Sequence, residues 1–317
     1  MPINSTGASR HGGAAPHLAL VAVQLLFGSW PIAGKIALRV LPSTGLVALR
    51  VGGAAVIFLI LQSAMRRARI TRKKDYVWLA LCSLLGVVLN QFLFVKGLSL
   101  TTAINATLLG TTIPVFALLV SILAGNDQFS IRKATGIILA ASGVIYLVDP
   151  LRTEFSRETT LGNLLIVANS FSYGAYIALS KDLLKRYGAL TVITWIFVFG
   201  SVGTIPVGSF TLAAAPLESA GAEVWLAVLY IILAPTVGAY YLNAWALARV
   251  EPSTVAIYIY LQPLIAFTLA PLILNERWNS RTWIASALIF AGVAVVTLRA
   301  RSRALEEVSE HPDALSH

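Results

Sequence analysis

Apolar positions run through this chain in long stretches, separated by short polar, glycine-rich or proline-containing turns. The stretches fall at about 18–40, 44–64, 76–97, 104–124, 132–148, 161–181, 190–212, 223–247, 254–274 and 281–299. Each measures roughly 17–25 residues, the length an α-helix needs to cross about 30 Å of hydrocarbon. They are apolar nearly all round, so their backbones must satisfy their own hydrogen bonds, as only helices and closed barrels do in lipid. The alternating pattern of a barrel strand is missing. The pattern predicts an all-α polytopic membrane protein with ten transmembrane helices. Residues 1–16, rich in Gly, Ala and Ser, and residues 300–317, polar and of mixed charge, are expected to be disordered tails. The first stretch is too long for the core of a cleavable signal, and no A-x-A site follows a short apolar segment.

Composition strengthens this reading. Hydrophobic residues make up 57% of the chain and charged residues 12%, against about 25% charged in soluble domains. The net charge of +10 acquires its meaning from where the cations sit. With the N-terminus placed in the cytoplasm, cytoplasmic segments hold 16 Lys and Arg and outer segments hold 5. That bias predicts a multi-pass protein of the cell membrane with both termini in the cytoplasm, and no nucleic-acid partner is expected. The single cysteine, Cys82, excludes an internal disulfide and a Cys-rich metal site. The four histidines lie near the termini, and no cofactor or metal is expected. All fourteen acids fall in loops, helix ends or tails. Proton-relay chemistry therefore lacks its usual parts, and facilitated diffusion or exchange is expected.

Two short segments repeat. NDQFSIR at 126–132 returns as NERWNSR at 275–281, an offset of 149. The same offset carries Pro114 to Pro263 and Gly143 to Gly292, and VWLA at 77–80 recurs at 224–227 with an offset of 147. Phe27 with Lys35 matches Tyr173 with Lys181, eight apart in each pair. The collinear matches divide the chain into two five-helix units, 18–149 and 160–299. Two copies with an odd number of crossings insert in opposite orientations, giving two inverted five-helix repeats. Many secondary transporters share this plan, with the substrate site near the midplane where the halves meet. The repeated loop has two readings. Its acid and arginine form a gating ion pair, or they fix a tight reversal while Ser130 and Asn279 cap the following helix.

Ten helices, the Ala48-Leu49-Arg50 triplet in the second, and two copies of a proline, acid-loop, glycine pattern resemble the EamA-type drug/metabolite transporter superfamily. The stretches that carry the likeness are LSLTTAINATLLGTTIPVFALLVSILAGNDQFSIRKATGIILAASGV and LARVEPSTVAIYIYLQPLIAFTLAPLILNERWNSRTWIASALIFAGV. It spans about residues 18–299. Phe27-Gly28 stands where many members have Trp-Gly, and Asp127 where Glu is commoner. The resemblance implies a cavity lined mainly by the first, third, fourth, sixth, eighth and ninth helices. It leaves the substrate open among amino acids, other metabolites, nucleotide sugars and drugs.

Residues at helical spacing on those helices are the candidates for binding a substrate. Gln24, Gly28, Trp30, Pro31 and Lys35 lie on the first, Asn90 and Phe94 on the third, and Asn105, Thr112 and Pro114 on the fourth. Asn169, Tyr173 and Tyr176 share a face of the sixth. Tyr240 and Trp245 lie on the eighth, and Tyr258, Gln262 and Pro263 on the ninth. The other reading of each is packing, since Asn and Gln join helices and small residues permit close approach. The mirrored prolines each remove a helical hydrogen bond and allow the bend a gate needs. Charges within the membrane mark function by default, and Lys35, Arg50 and Lys96 fall inside predicted helices. The three form an anion-attracting outer vestibule suited to a carboxylate, or they serve structure, with Lys35 and Lys96 snorkelling to the headgroups and Arg50 locking helix packing by binding backbone carbonyls. Together these features describe a secondary transporter for a small polar or amphipathic metabolite, an amino acid leaving the cell foremost. It would sit in the lipid bilayer as a monomer or homodimer. An accessory or lipid-handling membrane protein is the alternative. An intramembrane enzyme would need an acid, histidine or paired cysteine at membrane depth.

Overall fold

A computed structural model describes residues 14–65, 70–123, 130–148, 157–247, 258–259, 261–277 and 279–297. Among the described residues every regular element is helical, and the helices line up as ten rods. The first five are α1 (Ala14–Ala37), α2 (Ser43–Ala64), α3 (Lys73–Leu100), α4 (Ala103–Leu123) and α5 (Ile131–Val148). The second five are α6 (Arg157–Tyr187), α7 (Ala189–Ala213), α8 (222–247), α9 (Leu261–Leu274) and α10 (Ser280–Thr297). Six rods, α1 to α4, α7 and the Ala222–Asn243 part of α8, are long and apolar enough to cross a membrane. Large apolar side chains point outward from the bundle, Val202, Phe210 and Leu272 among the most exposed. Water would penalise such a surface, whereas hydrocarbon accepts it.

The ends of the rods depart from the predicted limits in understandable ways. α6 runs past the apolar stretch to Tyr187 and carries Lys185 and Arg186 in its last turn, where cations suit the helix dipole. α9 is described from Leu261, and residues 254–257 and 260 of the predicted stretch lie outside the described ones. α4 is interrupted at Thr111 and Thr112. Pro114 has no N–H to give Gly110, and the two threonine hydroxyls instead bond Leu108 O and Leu109 O at 2.7 and 2.6 Å. α3 and α8 each contain a wider π-helical turn, Leu84–Leu89 and Ile232–Gly238. The offset of 147 carries the first onto 231–236, so the irregularity belongs to the repeat.

Helices of one repeat pack on helices of the other. α2 lies against α7 and α5 against α10. α1 packs on α9 and α8, and its counterpart α6 packs on α4 and α3. Exchanging each helix with its twin therefore reproduces the arrangement, as a two-fold relation requires. Two glycines make the α1–α9 seam and its twin, α6–α4, possible. A Cβ at Gly28 would stand 2.9 Å from Ile265 Cβ on α9, and one at Gly174 would stand 2.7 Å from Ala117 N on α4.

Within NERWNSR, Asn275 ends α9 with φ at +56°, a left-handed conformation that Asn tolerates better than most side chains. Asn279 then accepts a hydrogen bond from Thr282 N at 2.7 Å and so caps α10. The twin segment 126–129 lies outside the described residues, and Ser130 directly precedes α5.

Candidate functional site

The most deeply placed charge lies on α2. Arg50 stands about 10 Å along that helix from Ser43 and is only 3% exposed. Its Nε donates to Thr236 Oγ1 at 2.7 Å, and its Nη1 donates to Gln91 Oε1. The guanidinium plane lies 4.2 Å from the centre of the Trp30 ring, a cation–π arrangement. Thr236 belongs to the π turn of α8, and Gln91 follows the π turn of α3. Both turns leave carbonyls out of the regular ladder. Ser172 on α6 donates to Leu85 O at 2.7 Å, and Thr236 donates to Ile231 O at 2.7 Å. Gln91 Nε2 donates to Asn90 Oδ1 at 3.0 Å, and Asn169 Nδ2 donates to the Asn90 carbonyl at 2.8 Å. The two irregular turns thus hold Arg50 in a network of neutral dipoles. Among the described residues no carboxylate pairs with it.

Aromatic rings enclose this network. Trp30 stacks on Phe94 with ring centres 5.9 Å apart. Tyr173 and Tyr176 lie 5.3 Å apart, and Tyr240 stands within electrostatic reach of Tyr173. Tyr240 meets Phe27 and Phe197 edge-on, at 5.9 and 5.5 Å. Gly86, Val87, Tyr176, Phe197 and Tyr240 border a cavity with room for about one water molecule. The offset of 147 sets Phe197 opposite Arg50, so one half contributes a cation where the other contributes a phenyl ring.

Comparison with known proteins gives this architecture a family. The family model described as "EamA-like transporter family" matches residues 15–148 and again 160–298. The chain belongs to the EamA-like transporter family. An uncharacterized transporter of Archaeoglobus fulgidus is 28% identical over 284 residues, covering 89% of this chain and 97% of that one. The uncharacterized transporter YetK of Bacillus subtilis is 25% identical, covering 89% and 87%. A probable terminal-alkyne amino-acid exporter of Streptantibioticus cattleyicolor is 26% identical over 238 residues, covering 74% and 77%. A solved crystal structure superposes with a TM-score of 0.62 at 20% identity, over 91% of this chain and 98% of that one. It shows the same fold. The named relatives are transporters, and this chain is an EamA-like membrane protein.

In this EamA-like bundle the predicted site residues fall into several groups. Trp30, Asn90, Phe94, Asn169, Tyr173, Tyr176 and Tyr240 gather around Arg50. Gln24, 1% exposed, accepts a hydrogen bond from Gln262 Nε2 at 2.7 Å, beside Gly28 in the α1–α9 seam. Pro31 and Pro263 are buried in the same two helices. Asn105 and Thr101 both donate to the side-chain Oδ1 of Asn163, and Thr112 and Pro114 mark the break in α4. Tyr258 bonds His17 Nδ1 at 2.9 Å toward the start of α1. Trp245 is half-buried on α8. Lys35 is half-buried within electrostatic reach of Glu276, and Lys96 is exposed.

The sequence leaves Arg50 open between a vestibule cation and a packing device, and it does not mark Gln91, Thr236 or Phe197. Gln91 adjoins the flagged Asn90, so a buried-amide signal was available there. Thr236 and Phe197 carry no signal of their own, because their importance comes from neighbours on other helices.

Proposed function

We propose that this chain is a carrier that moves a small polar or amphipathic metabolite, an amino acid foremost, out of the cell across the cytoplasmic membrane. Transport would proceed by alternating access between the two repeats. The carrying observation is the polar and aromatic centre where α1, α2, α3, α6 and α8 meet, built from both repeats. A polar centre where two halves of opposite orientation meet is where such carriers bind their solute. The amino-acid class draws further support from the Streptantibioticus cattleyicolor relative, named for amino-acid export. The excess of Lys and Arg on alternate loops supports cytoplasmic termini.

The test is solute counterflow in proteoliposomes of the purified full chain, screened over amino acids, organic acids and purines. Saturable exchange of at least one amino acid is expected. It should persist when the proton gradient is collapsed at fixed membrane potential. Absence of exchange for every solute, in protein that remains monodisperse and folded, would overturn the carrier reading.

A further inference from the structure

Arg50 presents an electrostatic problem that its surroundings only half solve. A guanidinium stays protonated in proteins, and a charge at membrane depth is costly and marks function by default. Thr236, Gln91 and the face of Trp30 supply dipoles and a π cloud, but none of them supplies a negative charge. The two-fold relation shows that packing alone does not require this cation. Gly53 on α2 packs against Ile232 in the π turn of α8, and Gly200 on α7 packs against Val87 in the π turn of α3. The two glycines are twins at the offset of 147, and each contact joins one repeat to the π turn of the other. The second is built with Phe197, 2% exposed, in the place of Arg50. An apolar residue therefore serves the same helix contact, and the arginine adds something other than cohesion.

We propose that Arg50 receives the carboxylate of the transported solute, and that the site selects organic monoanions or zwitterions with an apolar body. This rests on the carrier reading above and deepens it. The solute supplies the missing negative charge when it binds. Its apolar part lies toward Tyr176, Tyr240 and Phe197, where the small cavity already borders the network. Thr236 and Gln91 act as positioning residues. Each takes one donor of the five-donor fork and fixes its plane against Trp30, and a planar fork suits a carboxylate better than a point charge does. The recognition is one-sided, because the phenyl ring of Phe197 stands where a symmetric site would carry a second cation.

The experiment uses the full chain in proteoliposomes and pairs each of phenylalanine and leucine with its carboxamide. In wild-type protein the amides are expected to compete roughly thirtyfold more weakly than the acids. Arg50→Gln should raise the half-saturation of the acids by a similar factor and leave the weak competition by amides unchanged. Arg50→Lys should recover only part of the loss. Equal competition by acid and amide in wild-type protein overturns the assignment, whether or not the Arg50→Gln protein folds. Unchanged acid transport by a folded Arg50→Gln variant overturns it as well, as does exchange confined to purines or organic cations. If wild-type protein exchanges nothing in the panel, the carrier reading fails with it, an outcome distinct from exchange without acid–amide discrimination.

Discussion

Arg281, at the start of α10, donates through Nε to the carbonyl of Tyr146 in the last turn of α5, at 2.7 Å. Its twin Arg132, at the start of α5, donates through Nη2 to the carbonyl of Val295 in the last turn of α10, at 2.6 Å. The offset of 149 converts one contact into the other. Each arginine satisfies a carbonyl that the end of a helix leaves without a partner and places positive charge at the negative end of its dipole. The arginines of the repeated motif therefore clasp α5 to α10. The expectation that acid and arginine together fix their own hairpin is corrected for the second copy, because Glu276 and Arg281 serve different helices. An antiparallel neighbour offers its last carbonyls at just this level.

Arg132→Ala and Arg281→Ala should each lower stability by about 1 kcal/mol. The two sites lie near opposite ends of the α5–α10 pair, so the double substitution should be additive to within about 0.5 kcal/mol. Chemical unfolding in detergent micelles measures both numbers. A strong coupling energy would contradict two independent clasps.

Glu276 closes the account of donors at the start of α4. Its carboxylate accepts from Ala103 N at 2.7 Å and Ile104 N at 3.1 Å, and Thr102 Oγ1 accepts from Asn105 N at 3.0 Å. Glu276→Ala orphans two N–H groups and should lower stability by about 1–2 kcal/mol. Glu276→Gln keeps an acceptor and should lose less. Equal thermal unfolding midpoints for Ala, Gln and wild type would refute the capping role.

Gly143 and Gly292 let α5 and α10 approach. A Cβ at Gly143 would stand 2.9 Å from Ile289 N, and one at Gly292 would stand 2.7 Å from Gly136 O. Val at either position forces backbone apart and should lower stability by about 1–3 kcal/mol. Gly110, at the break in α4, has nothing within 4 Å of such a Cβ. Gly110→Ala should raise stability by about 0.5–1 kcal/mol. If the break acts as a hinge, the same substitution slows counterflow. Faster unfolding of Gly110→Ala would count against the packing argument.

Phe197 borders the central cavity and is almost fully buried. Phe197→Leu should shift counterflow preference toward solutes with bulkier apolar bodies by roughly tenfold, the range a methylene-scale change in a pocket commands. The carboxylate requirement should stay as it was. An unchanged preference between leucine and tryptophan would place the apolar end of the solute elsewhere.

Much of the bundle was legible because it depends on quantities local to each segment. Run length predicted the rods, and the offsets of 147 and 149 predicted which helices are twins. The face of α1 bearing Gln24 and Gly28 was also legible, since helical spacing alone defines a face. Its partner was not, and it proved to be α9, through Gln262 and Ile265. The π turns of α3 and α8 left no mark that periodicity could register. An extra residue per turn is tolerated where a neighbouring hydroxyl such as Ser172 takes the freed carbonyl, and that hydroxyl is contributed from a distant part of the chain.

The amino-acid sequence by itself determined a membrane-embedded helical chain built from a duplicated, inverted unit, because solvent preference and repeat register are carried residue by residue. Only the tertiary structure decided that Arg50 meets Trp30, Gln91 and Thr236 with no acid beside it among the described residues. Those residues lie on four helices, and their separations follow from the packing and rotation of rods whose apolar surfaces are nearly uniform. In such rods the sequence specifies which residues are inside far more sharply than which inside residues touch.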